Sequence, residues 1–179
     1  MTIANPFCGW STLPGYGSNW DQRFESETIY GDTILISYDI RWDTEDYYDF
    51  GYFQYLDGGD WIDLSSYDGE GGPLQEAFSV KPQGDSTRFR FRFVSDAGYD
   101  DEDGEEDTDG ALIIDDILIV IDGFTICDED FEGEMPGALE TNDGLWKASV
   151  APPFGDYAAL HAGASVLQED PCSQNNTYL

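Results

Sequence analysis

TRFRFRFV, residues 87–94, alternates without a break: Phe89, Phe91 and Phe93 fall on one side of an extended chain, and Arg88, Arg90 and Arg92 on the other. Side chains of a β-strand point alternately to its two faces, so this is a strand with an aromatic inner face and a cationic outer one. Its arginines are three of only seven basic residues in a chain of 179. That outer face must meet water, an acidic neighbouring strand or an acidic partner. Opposite charges across a sheet are the simplest arrangement.

Outward from this stretch, strand-like runs recur with turn residues between them, the pattern of an all-β sandwich. TILISYDIRW (33–42) alternates through Ile34, Ile36, Tyr38 and Ile40, and YDFGYFQYL (48–56) is rich in aromatics. Asp57-Gly58-Gly59-Asp60 reads as a hairpin turn into WIDL, and Asp122-Gly123 as a second turn into FTICDEDFEGE. Further strands are predicted at 145–151, 156–161 and 164–168, and no amphipathic helix of useful length is visible. ALIIDDILIVI (111–121) predicts a central strand covered on both faces. Its adjacent Asp115 and Asp116 would face opposite sides of the sheet. At least one would then be buried or near-buried, and a buried carboxylate needs a cation or donors.

Composition narrows the function classes. Hydrophobic residues make up 40% of the chain and aromatics 15%, enough for a real core despite a net charge of −31. That charge excludes the basic face on which nucleic-acid binding depends, and it repels anionic membranes. No run has transmembrane length, so membrane insertion is not expected. A pI near 4.1 suits an extracellular, calcium-containing or saline setting. No G-x-S-x-G, H-E-x-x-H or phosphate-binding loop is present, and the single histidine, His161, has no evident acid–nucleophile companions. A non-enzymatic role is expected. Asn175 opens an N-x-T sequon, a possible glycosylation position.

Between the two clearest strands lies YDDEDGEEDTDG (99–110), with eight carboxylates in the ten residues Asp100–Asp109. Such crowding repels strongly. A hard cation or complete solvation would relieve it, and calcium, with 6–8 oxygen ligands, is the natural candidate.

Several segments together resemble the MAM-like or choice-of-anchor type of jelly-roll domain of large secreted bacterial proteins, including immune-inhibitor-type metalloprotease tails. They are PGYGSNWDQRFES, YDFGYFQYLDGGDWIDL, RFRFRFVSDAGYDDEDGEEDTDGALIIDDI and DFEGE, spread over nearly the whole chain. The resemblance implies a two-sheet antiparallel jelly roll serving adhesion, carbohydrate binding or architecture. It also implies calcium held by Asp96, Asp107, Asp109, Asp116 and Glu132, with Asp101 and Asp103 as further candidates. The order departs from the family's pattern: 1–122 looks like the later, main part of the sandwich, and 123–179 like the earlier part. Read cyclically, Cys8 and Cys172 become neighbours, which implies a disulfide within or between chains and leaves Cys127 as a buried thiol.

The 123–179 strands are therefore expected to close the same sandwich as a circular permutant, to begin a truncated second domain, or to complete a neighbouring subunit. A sandwich lacking strands exposes an edge and an open core, and head-to-tail completion between copies propagates into a homopolymer. The expected function is a structural subunit of an extracellular filament, assembled by strand donation and rigidified by calcium. The alternative is a calcium-dependent carbohydrate-binding or adhesion module, with Trp20, Trp42, Trp61 and Tyr99 as candidate stacking surfaces for glycans.

Overall fold

The computed structural model describes residues 16–101, 103–108, 110–130 and 145–151, together with two short strands at 2–4 and 159–161. The described residues are all-β. The strands are β1 (Thr2–Ala4), β2 (Asp21–Ser26), β3 (Ile29–Tyr30), β4 (Ile34–Asp43), β5 (Phe50–Asp57), β6 (Asp60–Tyr67) and β7 (Glu70–Val80). They continue with β8 (Ser86–Thr87), β9 (Phe89–Val94), β10 (Leu112–Ile121), β11 (Phe124–Glu129), β12 (Trp146–Ala151) and β13 (Ala159–His161). One antiparallel sheet has the order β13-β1-β10-β4-β7, with β11 also paired to β10. A second runs β12-β2-β9-β5-β6, and β3 and β8 form a small ladder.

The inner faces of the two large sheets share one core, a sandwich-like arrangement. Phe24 of β2, Phe53 of β5 and Phe89, Phe91 and Phe93 of β9 face Ile34, Ile36, Tyr38 and Ile40 of β4 and Leu112, Ile114, Ile117 and Ile119 of β10. Phe91 sits at the centre, with ring centroids 4.7 Å from Phe53, 4.8 Å from Tyr38 and 5.8 Å from Trp146. Burying a side chain of this size stabilises by about 1.5–3 kcal/mol. At Gly51 of β5 the sheets approach closely: a Cβ built there would stand 2.5 Å from Leu112.

The arginine face of β9 meets an acidic strand, β2. Arg92 bonds Asp21 at 2.7 Å, Arg88 reaches Glu25 at 2.6 Å, and Arg90 lies 3.6 Å from Glu25. Trp61 stacks on the Arg90 guanidinium at 4.0 Å, and Gln54 accepts its Nε–H at 2.6 Å. Both predicted turns form. Gly58 and Gly59 carry positive φ between the paired Asp57 and Asp60, and Asp122 and Gly123 do so between Ile121 and Phe124.

The unbroken alternation expected through Asp115 and Asp116 is corrected. Between Asp115 and Leu118 the register of β10 on β4 shifts, so Asp116 and Ile117 together oppose a single residue. Asp116 takes the left-handed conformation (φ 51°), which an Asp tolerates. The bulge moves the inward phase from Leu112 and Ile114 to Ile117 and Ile119. Neither aspartate is buried: Asp115 is half-buried and Asp116 exposed.

Strands β1, β2 and β7 are not among those expected from the sequence, and β7 contains Gly71-Gly72-Pro73, a combination common in turns. It forms at the edge of its sheet, where a proline need not donate to a ladder. The three described strands from 123–179 pair within the chain: β11 with β10, β12 with β2, and β13 with β1. The predicted strand at 164–168 lies outside the described residues.

Candidate functional site

Three segments converge at one end of the sandwich: 16–20 before β2, the 44–49 turn between β4 and β5, and the 95–110 loop between β9 and β10. Ser95 ties the first to the third, accepting the Trp20 N–H at 2.8 Å and donating to the Gly17 carbonyl at 2.6 Å. Asp96 N–H donates to Asp49 Oδ1 at 2.8 Å, joining the second to the third. Tyr16, fully buried, accepts the Glu45 N–H at 2.9 Å through its hydroxyl and packs edge-on to Phe93 at 4.9 Å.

Within this frame, carboxylate oxygens of Glu45, Asp49 and Asp96 lie within 4.8 Å of one another. Asp49 is fully buried, and its Oδ2 makes no hydrogen bond of ordinary geometry; the Tyr16 hydroxyl is close enough to favour its charged form. Burial pushes the Asp49 carboxyl up, opposed by the Asp96 N–H and Tyr16 and reinforced by the charges of Asp96 and Asp100. Glu45 is also raised, by desolvation and then by Asp49 and Asp96.

The acidic loop itself is organised by its own amides. Asp101 accepts Thr108 N–H at 2.7 Å, Thr108 Oγ1–H at 2.6 Å and Tyr16 N–H at 3.0 Å. Asp103 accepts Tyr99 N–H at 2.7 Å and Glu105 N–H at 2.9 Å. Asp100, buried, takes Ser18 Oγ–H at 2.5 Å and Asp103 N–H at 3.0 Å. These donors are a third means of ordering crowded carboxylates, beside a cation and solvation. Asp103 is held below the usual range chiefly by the Glu105 N–H, whereas burial raises Asp101 despite its donors.

Of the carboxylates expected to contact calcium, Asp96 alone belongs to the three-carboxylate group. Asp101 and Asp103 serve the loop, and Asp107 is exposed beside Asp101. Asp116 sits in a different acidic group, raised by desolvation and by Asp115, Asp39, Asp130 and Asp128. Asp109, Glu132, Cys8, Cys172 and Asn175 lie outside the described residues. The thiol of Cys127 is buried and donates to the Ile117 carbonyl at 3.7 Å.

Glu45 and Asp49 are new to the site. The signal for Asp49 is present in the sequence: it shares the inward alternation of Gly51 and Phe53, a carboxylate at a core-facing position. Among the aromatics expected to stack on glycans, Trp20 is buried, Trp42 packs on Tyr67 at 5.0 Å, and Trp61 covers Arg90. Tyr99 is open, 58% exposed, and so are Tyr47 (78%) and Tyr48 (59%), which lie between Glu45 and Asp49 in the chain. No known family model matches the chain, and no curated protein matches it either.

Proposed function

We propose that this protein is a non-enzymatic structural module of the extracellular space, a jelly-roll sandwich whose C-terminal strands, donated to a neighbour, build a head-to-tail filament steadied by calcium. One observation carries the reading: β12 supplies Trp146, fully buried, whose ring stacks on Phe24 at 5.3 Å. A strand 120 or so positions along the chain from β2 thus fills a core position rather than merely lying on an edge. The register of β12 on β2, Trp146 opposite Ser26 through Ala151 opposite Asp21, has the same geometry whichever copy supplies the strand. The net charge of −31 supports a calcium-containing setting.

Negative-stain microscopy and sedimentation of the full chain, with calcium and with chelator, test this reading. Fibres or concentration-dependent oligomers that dissociate in chelator support it. A monomer under both conditions and at all concentrations refutes the filament.

The exposed Tyr47, Tyr48 and Tyr99 favour a second reading, a calcium-dependent carbohydrate-binding or adhesion module. Oligosaccharide binding that needs calcium and is lost in Tyr47→Ala supports it. Binding indifferent to both counts against it.

A further inference from the structure

We propose that Glu45, Asp49 and Asp96 form a binding site for a hard divalent cation, calcium by preference, which clamps the β4–β5 turn to the start of the β9–β10 loop. The proposal rests on calcium as the steadying ion of the reading above and names where it binds. Thirty-eight acidic residues make an acidic cluster by itself uninformative. What separates this one is how its oxygens are occupied. Asp100, Asp101 and Asp103 have their oxygens engaged by amide and hydroxyl donors. Asp49, fully enclosed, has one oxygen on the Asp96 N–H and the other without a hydrogen bond of ordinary geometry, with the single Tyr16 hydroxyl beside the carboxylate.

An enclosed carboxylate oxygen without a donor is strongly unfavourable unless a cation or proton meets it. Here two further carboxylates come within 4.8 Å, which compounds the repulsion and supplies the remaining ligands. Calcium holds its oxygens at about 2.4 Å, so ligands on opposite sides of the ion stand about 4.8 Å apart. All three oxygens can share one ion. Asp96 is exposed and Glu45 half-buried, which leaves a solvent side for water ligands and for entry. The backbone is fixed before the ion arrives: Tyr16 holds the Glu45 N–H, and Asp49 holds the Asp96 N–H.

Calorimetric titration of the chelator-stripped full chain with calcium, followed by terbium luminescence excited through the nearby aromatic rings, tests the site. Asp49→Asn is expected to weaken the tightest site at least about tenfold, since affinity follows ligand charge. Asp116→Asn, in the separate acidic group, is expected to leave it unchanged. Melting provides a second readout: Asp49→Asn should melt above the wild type in chelator, where it removes an enclosed charge, and below it in saturating calcium. Should Asp49→Asn not fold, Glu45→Gln replaces it with the same expected loss. Calcium binding of unchanged affinity and stoichiometry in Asp49→Asn or Glu45→Gln overturns this site while leaving a calcium-steadied module intact. A wild-type chain that binds no calcium overturns both.

Discussion

Replacing Trp146 with alanine tests whether a strand from the far end of the chain belongs to the core. The indole is fully buried, stacks on Phe24 with centroids 5.3 Å apart and meets Phe91 at 5.8 Å. Truncating a buried Trp to Ala costs about 3–5 kcal/mol, combining lost transfer energy with the cavity left behind. The cavity would open against Phe24 and Phe91, which are themselves locked between Tyr38, Phe53 and the β2–β9 ladder, so little collapse is available. A domain of ordinary stability has about 5–15 kcal/mol in total, so the loss is a large share of it. Urea unfolding followed by near-ultraviolet dichroism measures the change, and Trp146→Phe should recover about half. Repeating the unfolding over a hundredfold range of protein concentration shows whose chain supplies the strand, because only donation between copies makes the midpoint depend on concentration. A Trp146→Ala loss below about 1 kcal/mol would refute the core placement of β12.

Three further outcomes are expected. Gly51→Ala places a methyl 2.5 Å from Leu112 Cδ2 and should destabilise by about 1–3 kcal/mol in the same unfolding assay, with Leu112→Ala alongside it partly compensating; additive losses would show that the sheets do not meet there. Glu76 gathers the hydroxyls of Tyr38 at 2.8 Å, Ser65 at 3.0 Å and Tyr67 across the gap between β6 and β7, so Glu76→Gln should cost about 1.5–3 kcal/mol, and a change under about 0.5 kcal/mol would contradict that role. Stability in chelator should rise as pH falls from neutral, because Asp49 and Glu45 have native values above 3.8 and 4.5 and their penalty fades as they take up protons. It should then fall as the pH passes below 3.8 toward about 2, where Asp21, pushed up by burial but held down more strongly by Arg92 and Arg23, loses its ion pairs. A melting midpoint that only declines on acidification would refute this balance.

The period-two alternation made most of the inner sheets legible. Phe89, Phe91 and Phe93, and Ile34 through Ile40, occupy the buried positions the pattern assigns. The short or polar strands β1 and β2 escaped it, and in β7 and β10 local chemistry and tertiary position disagree. In β7, Gly72-Pro73 carries a turn signature, yet the strand is an edge and loses no ladder bond that its sheet requires. In β10, a strict alternation would bury one of Asp115 and Asp116. The chain instead inserts a residue, takes Asp116 through positive φ, and keeps Ile114 and Ile117 inward.

The candidate site was legible only in part, because counting carboxylates does not reveal which are already satisfied. The run Asp100–Asp109 is conspicuous in sequence, but loop amides and Thr108 are donors too, and they engage Asp101 and Asp103 from within a few residues. Asp49 is a single acid among aromatics in YYDFGYF, where composition gives it no emphasis. Its position on the inward face of the strand start is what encloses it, and enclosure makes the charge of an ordinary aspartate costly unless a cation, a donor or a proton meets it. A core-facing register position held by a carboxylate thus singles out Asp49 more sharply than acidic density does. The two functional proposals meet at this point: a cation at Asp49 would fix the turn carrying Tyr47 and Tyr48 to the loop carrying Tyr99, so an adhesive surface and a rigid end would depend on the same ion.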